Sequence, residues 1–106
     1  MDQLKLAGWI GLCMRARQLA LGTDQALKAV RGGKAALILM DAGASDNLRK
    51  KLSDACVFRR VPCVTVPSGW IGDSCGGGDW MAVSVRKGGL ADSIIRLAGE
   101  QEKPRQ

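Results

Sequence analysis

One uninterrupted apolar segment in the middle of the chain constrains the fold more than any other feature. Ala35-Ala36-Leu37-Ile38-Leu39-Met40 contains no polar side chain and lies between the pair Gly32-Gly33 and Asp41. A strand with one face in water alternates apolar and polar residues, whereas a strand that is covered on both faces is apolar throughout. We therefore predict a central strand over residues 35–40, with other layers of structure packed against both of its faces.

Segments of helical and strand-like pattern alternate along the rest of the chain. The predicted helices cover residues 3–17, residues 24–32, about ten residues after Ser45, a short segment around Ile71 and the segment that Gly88-Gly89 opens. The predicted extended segments are residues 18–21, 35–40, 63–66 and 80–85. Such alternation predicts an α/β fold, a three-layer αβα sandwich around a small sheet. We expect one domain over residues 1–106, with a frayed polar tail from about residue 100.

The second predicted helix has one buried and one exposed face. Thr23 is a suitable N-cap residue, and Asp24 adds negative charge to the first turn. The residues expected in the core are Ala26, Leu27 and Val30. The residues expected on the exposed face are Asp24, Gln25, Lys28 and Arg31.

Basic residues outnumber acidic ones, with 16 Lys and Arg against 10 Asp and Glu, which gives a formal net charge of +6. This balance indicates a polyanionic partner, either nucleic acid or an anionic membrane surface. Five cations lie close together around the second helix, namely Arg15, Arg17, Lys28, Arg31 and Lys34. A helix N-terminus suits phosphate contacts, and Asp24 and Gln25 are placed there to reach base edges. The alternative is a merely solvated helix face.

The absence of histidine excludes most catalytic arrangements. It removes Ser-His-Asp and Cys-His nucleophiles, His-ligated zinc and imidazole acid–base chemistry. Residues 72–76 have the G-x-S-x-G spacing of a hydrolase, yet no His exists to take the proton of Ser74. Neither a P-loop nor a dinucleotide-binding glycine motif occurs. We expect a protein without catalytic residues and without a cofactor.

The cysteines indicate neither a disulfide framework nor a metal site. Cys13, Cys56, Cys63 and Cys75 lack C-x-x-C spacing and have apolar or small neighbours. We therefore expect four reduced, mostly buried thiols and no bound metal. The first residues do not resemble a signal peptide, and no apolar run approaches the ~18 residues of a membrane span. We expect a cytoplasmic protein without a membrane partner.

A resemblance to a known family runs through most of the chain. The segments that carry it are Gly11–Leu19, Gly22–Lys28, Ala44–Asn47, Lys50–Cys56, Val61-Pro62, Ile71-Gly72 with Gly76, and Val83–Ala91. In their order and spacing they resemble the ribosomal protein L7Ae family of kink-turn RNA-binding proteins. They are most similar to its bacterial YlxQ-like branch, and the resemblance extends from about residue 4 to residue 98.

The resemblance implies where RNA would bind. It implies a mixed four-stranded sheet, in which the short segment before Gly22 is the fourth strand, and RNA binding through the N-terminal end of the second helix. By motif match, Gly22 lets the backbone approach the RNA and Lys28 makes the basic contact of the family. Asp24 and Gln25 match positions that face sheared G·A pairs, where the family typically carries Asn and Glu.

A second loop, Gly77-Gly78-Asp79-Trp80, matches the family's loop before the last strand. In archaeal members that loop carries a Val-Pro pair against an extruded base, and the pair is missing in this chain. Two interpretations of Trp80 stay open: it stacks on a base in place of that pair, or it is a core residue at the edge of a strand.

Together these features predict a non-catalytic, ribosome-associated protein that recognises a kink-turn-like RNA. The expected partner is RNA, either ribosomal or structured noncoding, together with the ribosome. The candidate RNA-binding residues are Arg15, Arg17, Gly22, Thr23, Asp24, Gln25, Lys28, Arg31, Lys34, Gly78, Asp79 and Trp80. The alternative is a protein-interaction module that has kept this fold and lost RNA binding.

Overall fold

Helices and strands alternate through residues 3–101, which the computed structural model describes, with side chains described for residues 3–97. In chain order the elements are α1 (Gln3–Arg15), β1 (Leu19–Leu21), α2 (Thr23–Arg31), β2 (Ala35–Asp41), α3 (Asp46–Arg59), β3 (Cys63–Val66), α4 (Trp70–Ser74), β4 (Ala82–Arg86) and α5 (Gly89–Gln101). Each predicted element is present in the predicted order. The expected frayed tail lies outside the described residues, except that residues 100 and 101 still belong to α5.

The four strands form one mixed sheet in the order β1-β4-β2-β3. β4 runs antiparallel to both of its neighbours, β1 and β2, while β3 runs parallel to β2. In the middle of β2, Ile38 lies opposite Cys63 of β3 and Ser84 of β4. The prediction of a mixed sheet that includes the short segment before Gly22 is confirmed.

Helices cover both faces of this sheet, so the three-layer αβα sandwich is confirmed. On one face the core side chains of α1, α4 and α5 meet alternate residues of the central strands, and they include Leu6, Ile10, Ile71, Ile94, Leu37, Leu39, Val83 and Val85. On the other face α2 and α3 pack against the intervening residues, and this core includes Ala26, Leu27, Val30, Leu52, Cys56, Ile38 and Met40. Each large side chain buried in this way stabilises the fold by about 1.5–3 kcal/mol. No helix in the described part of the chain is long and apolar enough to cross a lipid bilayer.

The start of α2 differs from the prediction. Gly22, not Thr23, is the N-cap, and no side chain caps the helix. Gly22 has φ +93°, a conformation that favours glycine, and its carbonyl accepts the hydrogen bond of the Ala26 N–H at 2.8 Å. The helix therefore begins one residue earlier than expected, and Thr23 lies within its first turn.

Other boundaries also differ. α1 ends at Arg15 instead of residue 17, and Arg17 has a positive φ of 57°. Ser45 caps α3 as predicted, since its Oγ accepts the Leu48 N–H at 3.2 Å, but the helix has 14 residues instead of about ten. It continues through the apolar pair Val57-Phe58 and ends where Arg60 takes a left-handed conformation. β4 begins at Ala82 instead of residue 80, because Trp80 is held in the preceding loop by a hydrogen bond from its Nε1 to the Gly77 carbonyl.

The four thiols are unbridged, and Cys13, Cys56 and Cys75 are buried. Cys63, at the start of β3, is half-buried. The Cys56 thiol donates a hydrogen bond to the Cys63 sulfur and lowers the pKa of Cys63 to about 7, with burial opposing the shift and the Arg49 guanidinium favouring it. The same hydrogen bond, together with burial, raises the pKa of Cys56.

Asp41, the last residue of β2, is a buried carboxylate that joins two loops and is only 1% exposed. Its Oδ1 accepts the Gly43 N–H at 2.6 Å and the Ser68 hydroxyl at 3.2 Å, and its Oδ2 accepts the Gly69 N–H at 2.9 Å. The backbone hydrogen bonds from Gly69 and Gly43 hold the pKa of Asp41 below its usual range, although burial opposes them. This carboxylate therefore fixes the loops after β2 and β3 relative to each other.

We expect Asp41→Asn to lower the free energy of unfolding at neutral pH by about 1–3 kcal/mol, since an amide cannot accept all three bonds. Because the folded-state pKa is lowered, the contribution of Asp41 is complete above the unfolded-state value of about 3.9 and is lost as the pH falls through the folded-state value. Urea unfolding should show the two proteins converging in acid. A difference that does not depend on pH would contradict this assignment, and Ser68→Ala, which removes one bond, should cost less.

Cys63 should be the first cysteine to react with iodoacetamide in the folded protein. The thiolate is the reactive form, and a pKa of about 7 supplies it at neutral pH. Peptide mass spectrometry along a time course would identify the modified position, and Arg49→Ala should slow the reaction. Denatured protein without reductant should titrate as four thiols. Equally fast alkylation of buried Cys13 would show that the assignment is wrong.

Candidate nucleic-acid interface

The first turn of α2 offers polar side chains and backbone N–H groups without a side-chain cap. Asp24, Gln25, Lys28 and Arg31 are exposed, while Ala26, Leu27 and Val30 are buried, so the predicted division of the helix into two faces is confirmed. Val30 and Leu27 anchor the helix on the sheet, which fixes the direction of the exposed face. The N-terminal end of the helix carries the positive end of the helix dipole, which favours anionic groups.

The loop that ends at Trp80 lies directly against the start of α2. A Cβ atom added to Gly22 would be 3.5 Å from the indole ring of Trp80, so the ring packs beside Gly22, which stays half-exposed. The Gly22 N–H also donates to the Ala82 carbonyl at 2.9 Å. The structure thus brings together the two segments that the sequence indicated separately, Gly22–Gln25 and Gly77–Trp80.

Trp80 lies partly in the core, and base stacking on its ring stays a prediction. It is half-buried and packs against the core on the α1 side of the sheet, although it lies in the loop before β4 and not in the strand. Its Nε1 donates to the Gly77 carbonyl at 3.0 Å, so the indole N–H is used within the loop. Another part of the ring lies beside Gly22.

Consecutive glycines allow this loop to fold tightly. Gly76, Gly77 and Gly78 have φ values of +85°, +126° and +103°, which side chains with a Cβ rarely adopt. Gly72 in α4 is buried beneath them, and a Cβ there would overlap the Gly78 carbonyl oxygen. The glycine-rich segment is therefore packed against α4.

A groove of about 480 Å³ runs between the edge strand β1 and α2. Leu19, Ala20 and Leu21 form one wall, and Gln25, Lys28 and Ala29 form the other. The groove ends at Gly32, Lys34 and Arg86. Gln25 and Lys28 therefore face the same space, as expected for residues about one helical turn apart. Arg86 was not among the candidates, because nothing in the sequence shows that the end of β4 lies beside this helix.

The candidate residues divide between the two opposite edges of the sheet at which the strands begin and end. Gly22, Thr23, Asp24, Gln25, Gly78, Asp79 and Trp80 lie at the edge where β1 and β2 end and β4 begins. Arg15, Arg17, Arg31 and Lys34 lie toward the other edge, where α1 and α2 end and β1 and β2 begin. The seven-residue strand β2 separates the edges by about 20 Å. Lys28 lies between them, along the groove.

The architecture and sequence match a known family. A family model, Ribosomal protein L7Ae/L30e/S12e/Gadd45 family, matches residues 5–93. The chain belongs to this family. It is 36% identical to RNA-binding protein YlxQ of Bacillus subtilis over 89 residues, which cover 83% of this chain and 89% of that protein. It is also 36% identical to RNA-binding protein YlxQ of Enterococcus faecium over 62 residues, covering 58% of this chain and 60% of that protein. The resemblance to the YlxQ-like branch is confirmed.

Solved structures in the L7Ae fold agree with this assignment. A Bacillus halodurans protein of unknown function superposes with a TM-score of 0.79 at 29% identity, covering 86% of this chain and 93% of that chain. The Giardia lamblia 15.5kD RNA binding protein superposes with a TM-score of 0.79 at 26% identity, covering 93% of this chain and 86% of that chain. The family description and the names of the YlxQ relatives are those of ribosomal and RNA-binding proteins, not of enzymes, which confirms the expectation of a non-catalytic protein.

Gly72→Ala should displace the loop that carries Trp80 and lower the free energy of unfolding by about 1–3 kcal/mol, because the new methyl group meets backbone and not a flexible side chain. Trp fluorescence and thermal unfolding would measure both effects. Gly11→Ala in α1 is the matched control, since nothing lies within 4 Å of its Cβ position. That variant should be stabilised by about 0.5–1 kcal/mol. If the two variants had equal thermal stability and equal Trp fluorescence, Gly72 would not be packed against the loop as described.

Proposed function

We propose that this protein binds structured RNA, without catalysing a reaction, through the N-terminal end of α2 and the adjacent Trp80 loop. The proposal rests on the contact between Gly22 and the Trp80 ring. Beside this contact, the exposed side chains of Gln25 and Lys28 line one groove. One small surface thus contains three elements that RNA binding needs: backbone that RNA can approach, a polar side chain that can contact base edges, and a cation that can contact phosphate. Two relatives named as RNA-binding proteins support the same function.

Each side chain of this surface has a distinct role in the proposal. Gln25 can donate and accept hydrogen bonds at a base edge, so it carries selectivity for the RNA motif. Lys28 contacts phosphate as a point charge. Asp24 offers only acceptors and adds negative charge beside the RNA, which opposes phosphate binding. Gly22 has no side chain, so the RNA backbone can approach the start of the helix closely.

The preferred RNA in this proposal is a kink-turn-like element of ribosomal or structured noncoding RNA, and the protein binds it in the cytoplasm. Arg15, Arg17 and Lys34 lie at the edge of the sheet opposite Gly22, and in this proposal they do not contact the base pairs that Gln25 reads. They add sequence-independent attraction and phosphate contacts to a flanking stem.

Three substitutions should separate these roles. Gln25→Ala should narrow the difference in affinity between a kink-turn RNA and a plain duplex by about 1–3 kcal/mol, because it removes a base contact. Lys28→Ala should weaken binding to both RNAs and reduce the salt slope by about one phosphate contact. Asp24→Asn should tighten kink-turn binding, since it adds an amide donor and removes a negative charge. Titrations of the wild type and each variant against both RNAs at two salt concentrations would measure these effects.

Arg49→Ala and Lys50→Ala on α3 provide the control. If they abolish kink-turn binding while the substitutions in α2 have no effect, the RNA surface lies on α3 and the proposed site is wrong. Affinity that does not change with salt would contradict phosphate binding altogether. Protein partners that are retained after nuclease treatment, in the absence of RNA binding, would instead identify a protein-interaction module on this fold.

A further inference from the structure

Phe58 on α3 is a large apolar side chain that the core does not use. It is 82% exposed, and Val57 beside it is 77% exposed. Lys51, Asp54, Ala55 and Phe58 follow one another at i, i+3, i+4 and i+7, so they share one face of α3. Together with Arg31 and Arg59 they line a groove, whereas Val57 does not contribute to it.

Arg59 connects this groove to α2. Its guanidinium donates a hydrogen bond to the carbonyl of Arg31, the last residue of α2, and thereby caps the C-terminal end of that helix. The guanidinium carbon also lies 5.8 Å from the centre of the Phe58 ring, a cation–π distance. The aromatic ring and the cation are therefore held next to each other, while most of the ring remains accessible.

The groove continues along α2 toward the proposed RNA site. Asp24, Lys28 and Arg31 form one side of this continuation, and Lys51 of α3 forms the other. The whole groove is thus lined by four cations and two acids, namely Lys28, Arg31, Lys51 and Arg59 with Asp24 and Asp54. From Gln25 to Arg31 the helix rises only about 9 Å. One basic track therefore leads from the start of α2 to Phe58.

We propose that this track binds a single-stranded segment of RNA flanking the structured element, with phosphates on the cations and one base stacked on Phe58. This inference rests on the proposed function, since it extends the same RNA footprint along α2. A basic groove with an exposed aromatic side chain is the arrangement by which proteins hold single strands independently of sequence. Protein–protein interfaces are depleted of Lys and Asp, and this groove is lined by two Lys and two Asp side chains, which favours RNA over an apolar protein partner.

The first test compares two kink-turn RNAs that share one core and differ only in single-stranded extensions. Wild type should bind the extended RNA more tightly than the core. Phe58→Ala should lose about 5- to 100-fold on the extended RNA, the contribution of a stacked base, and should bind the core unchanged. Val57→Ala is the matched control, because it removes an equally exposed apolar side chain outside the groove, and it should leave both affinities unchanged. Both positions are exposed, so folding of the variants is expected and is checked by thermal unfolding.

The charges of the track give an independent measurement. With fluorescein-labelled oligouridine as the probe, Lys51→Ala should weaken binding and lower the salt slope by about 0.7, the value for one phosphate of a single strand. Asp54→Asn removes a negative charge from the same groove and should strengthen oligouridine binding by about two- to fivefold. A gain of affinity of this kind does not arise from damage to the fold.

The outcomes distinguish this inference from the proposed function. If wild type does not bind the kink-turn core, the proposed site fails, and the oligouridine assay still tests the track. If Phe58→Ala leaves both extended-RNA and oligouridine binding unchanged, the track is not an RNA site and the inference is overturned. Equal losses in Val57→Ala and Phe58→Ala would also overturn it, as would a nuclease-resistant protein partner that only Phe58→Ala releases.

Discussion

β2 is hydrogen-bonded to β4 on one side and to β3 on the other, and helices cover both of its faces. A strand of this kind is stable only when both helical layers are present, since removing either would expose a row of large apolar side chains. The same strand determines the position of the functional edge. Its last residue, Asp41, fixes the loops that follow β2 and β3, and its neighbour β4 begins directly after the Trp80 loop. The geometry of the proposed RNA site therefore depends on the burial of β2.

The elements whose structure follows from the local sequence pattern could be predicted. The apolar run at 35–40, the buried stripe of α2 and the Ser45 cap of α3 all follow from spacing and local chemistry, and each is confirmed. Mixed pairing of the strands followed only from the family resemblance. Periodicity does not reveal which strand lies beside which, because that depends on contacts between distant parts of the chain.

Other features depend on contacts that no local pattern encodes. Thr23 has good capping chemistry, yet Gly22 takes the cap position because the backbone turns there with positive φ against the Trp80 ring. Trp80 has the pattern of a strand residue, yet its indole N–H bonds to Gly77 and holds it in the loop. The division of the candidate residues between two edges of the sheet was equally hidden. Arg17 and Gly22 are five positions apart in the sequence, but a complete strand lies between them.

The position of α2 explains how one short helix can serve a large anionic partner. The nine-residue helix α2 connects β1 to β2 and lies between two grooves, one against β1 and one against α3. Lys28 lines both grooves, so its charge acts on either side of the helix. Asp24, at the start of the helix, lies beside Lys28 in the α3 groove only, whereas Gln25 faces the β1 groove. The β1 groove is thus lined by cations and neutral groups, and the α3 groove by charges of both signs. Phosphate is attracted more strongly to the first, and base stacking on Phe58 is what compensates for the acids in the second.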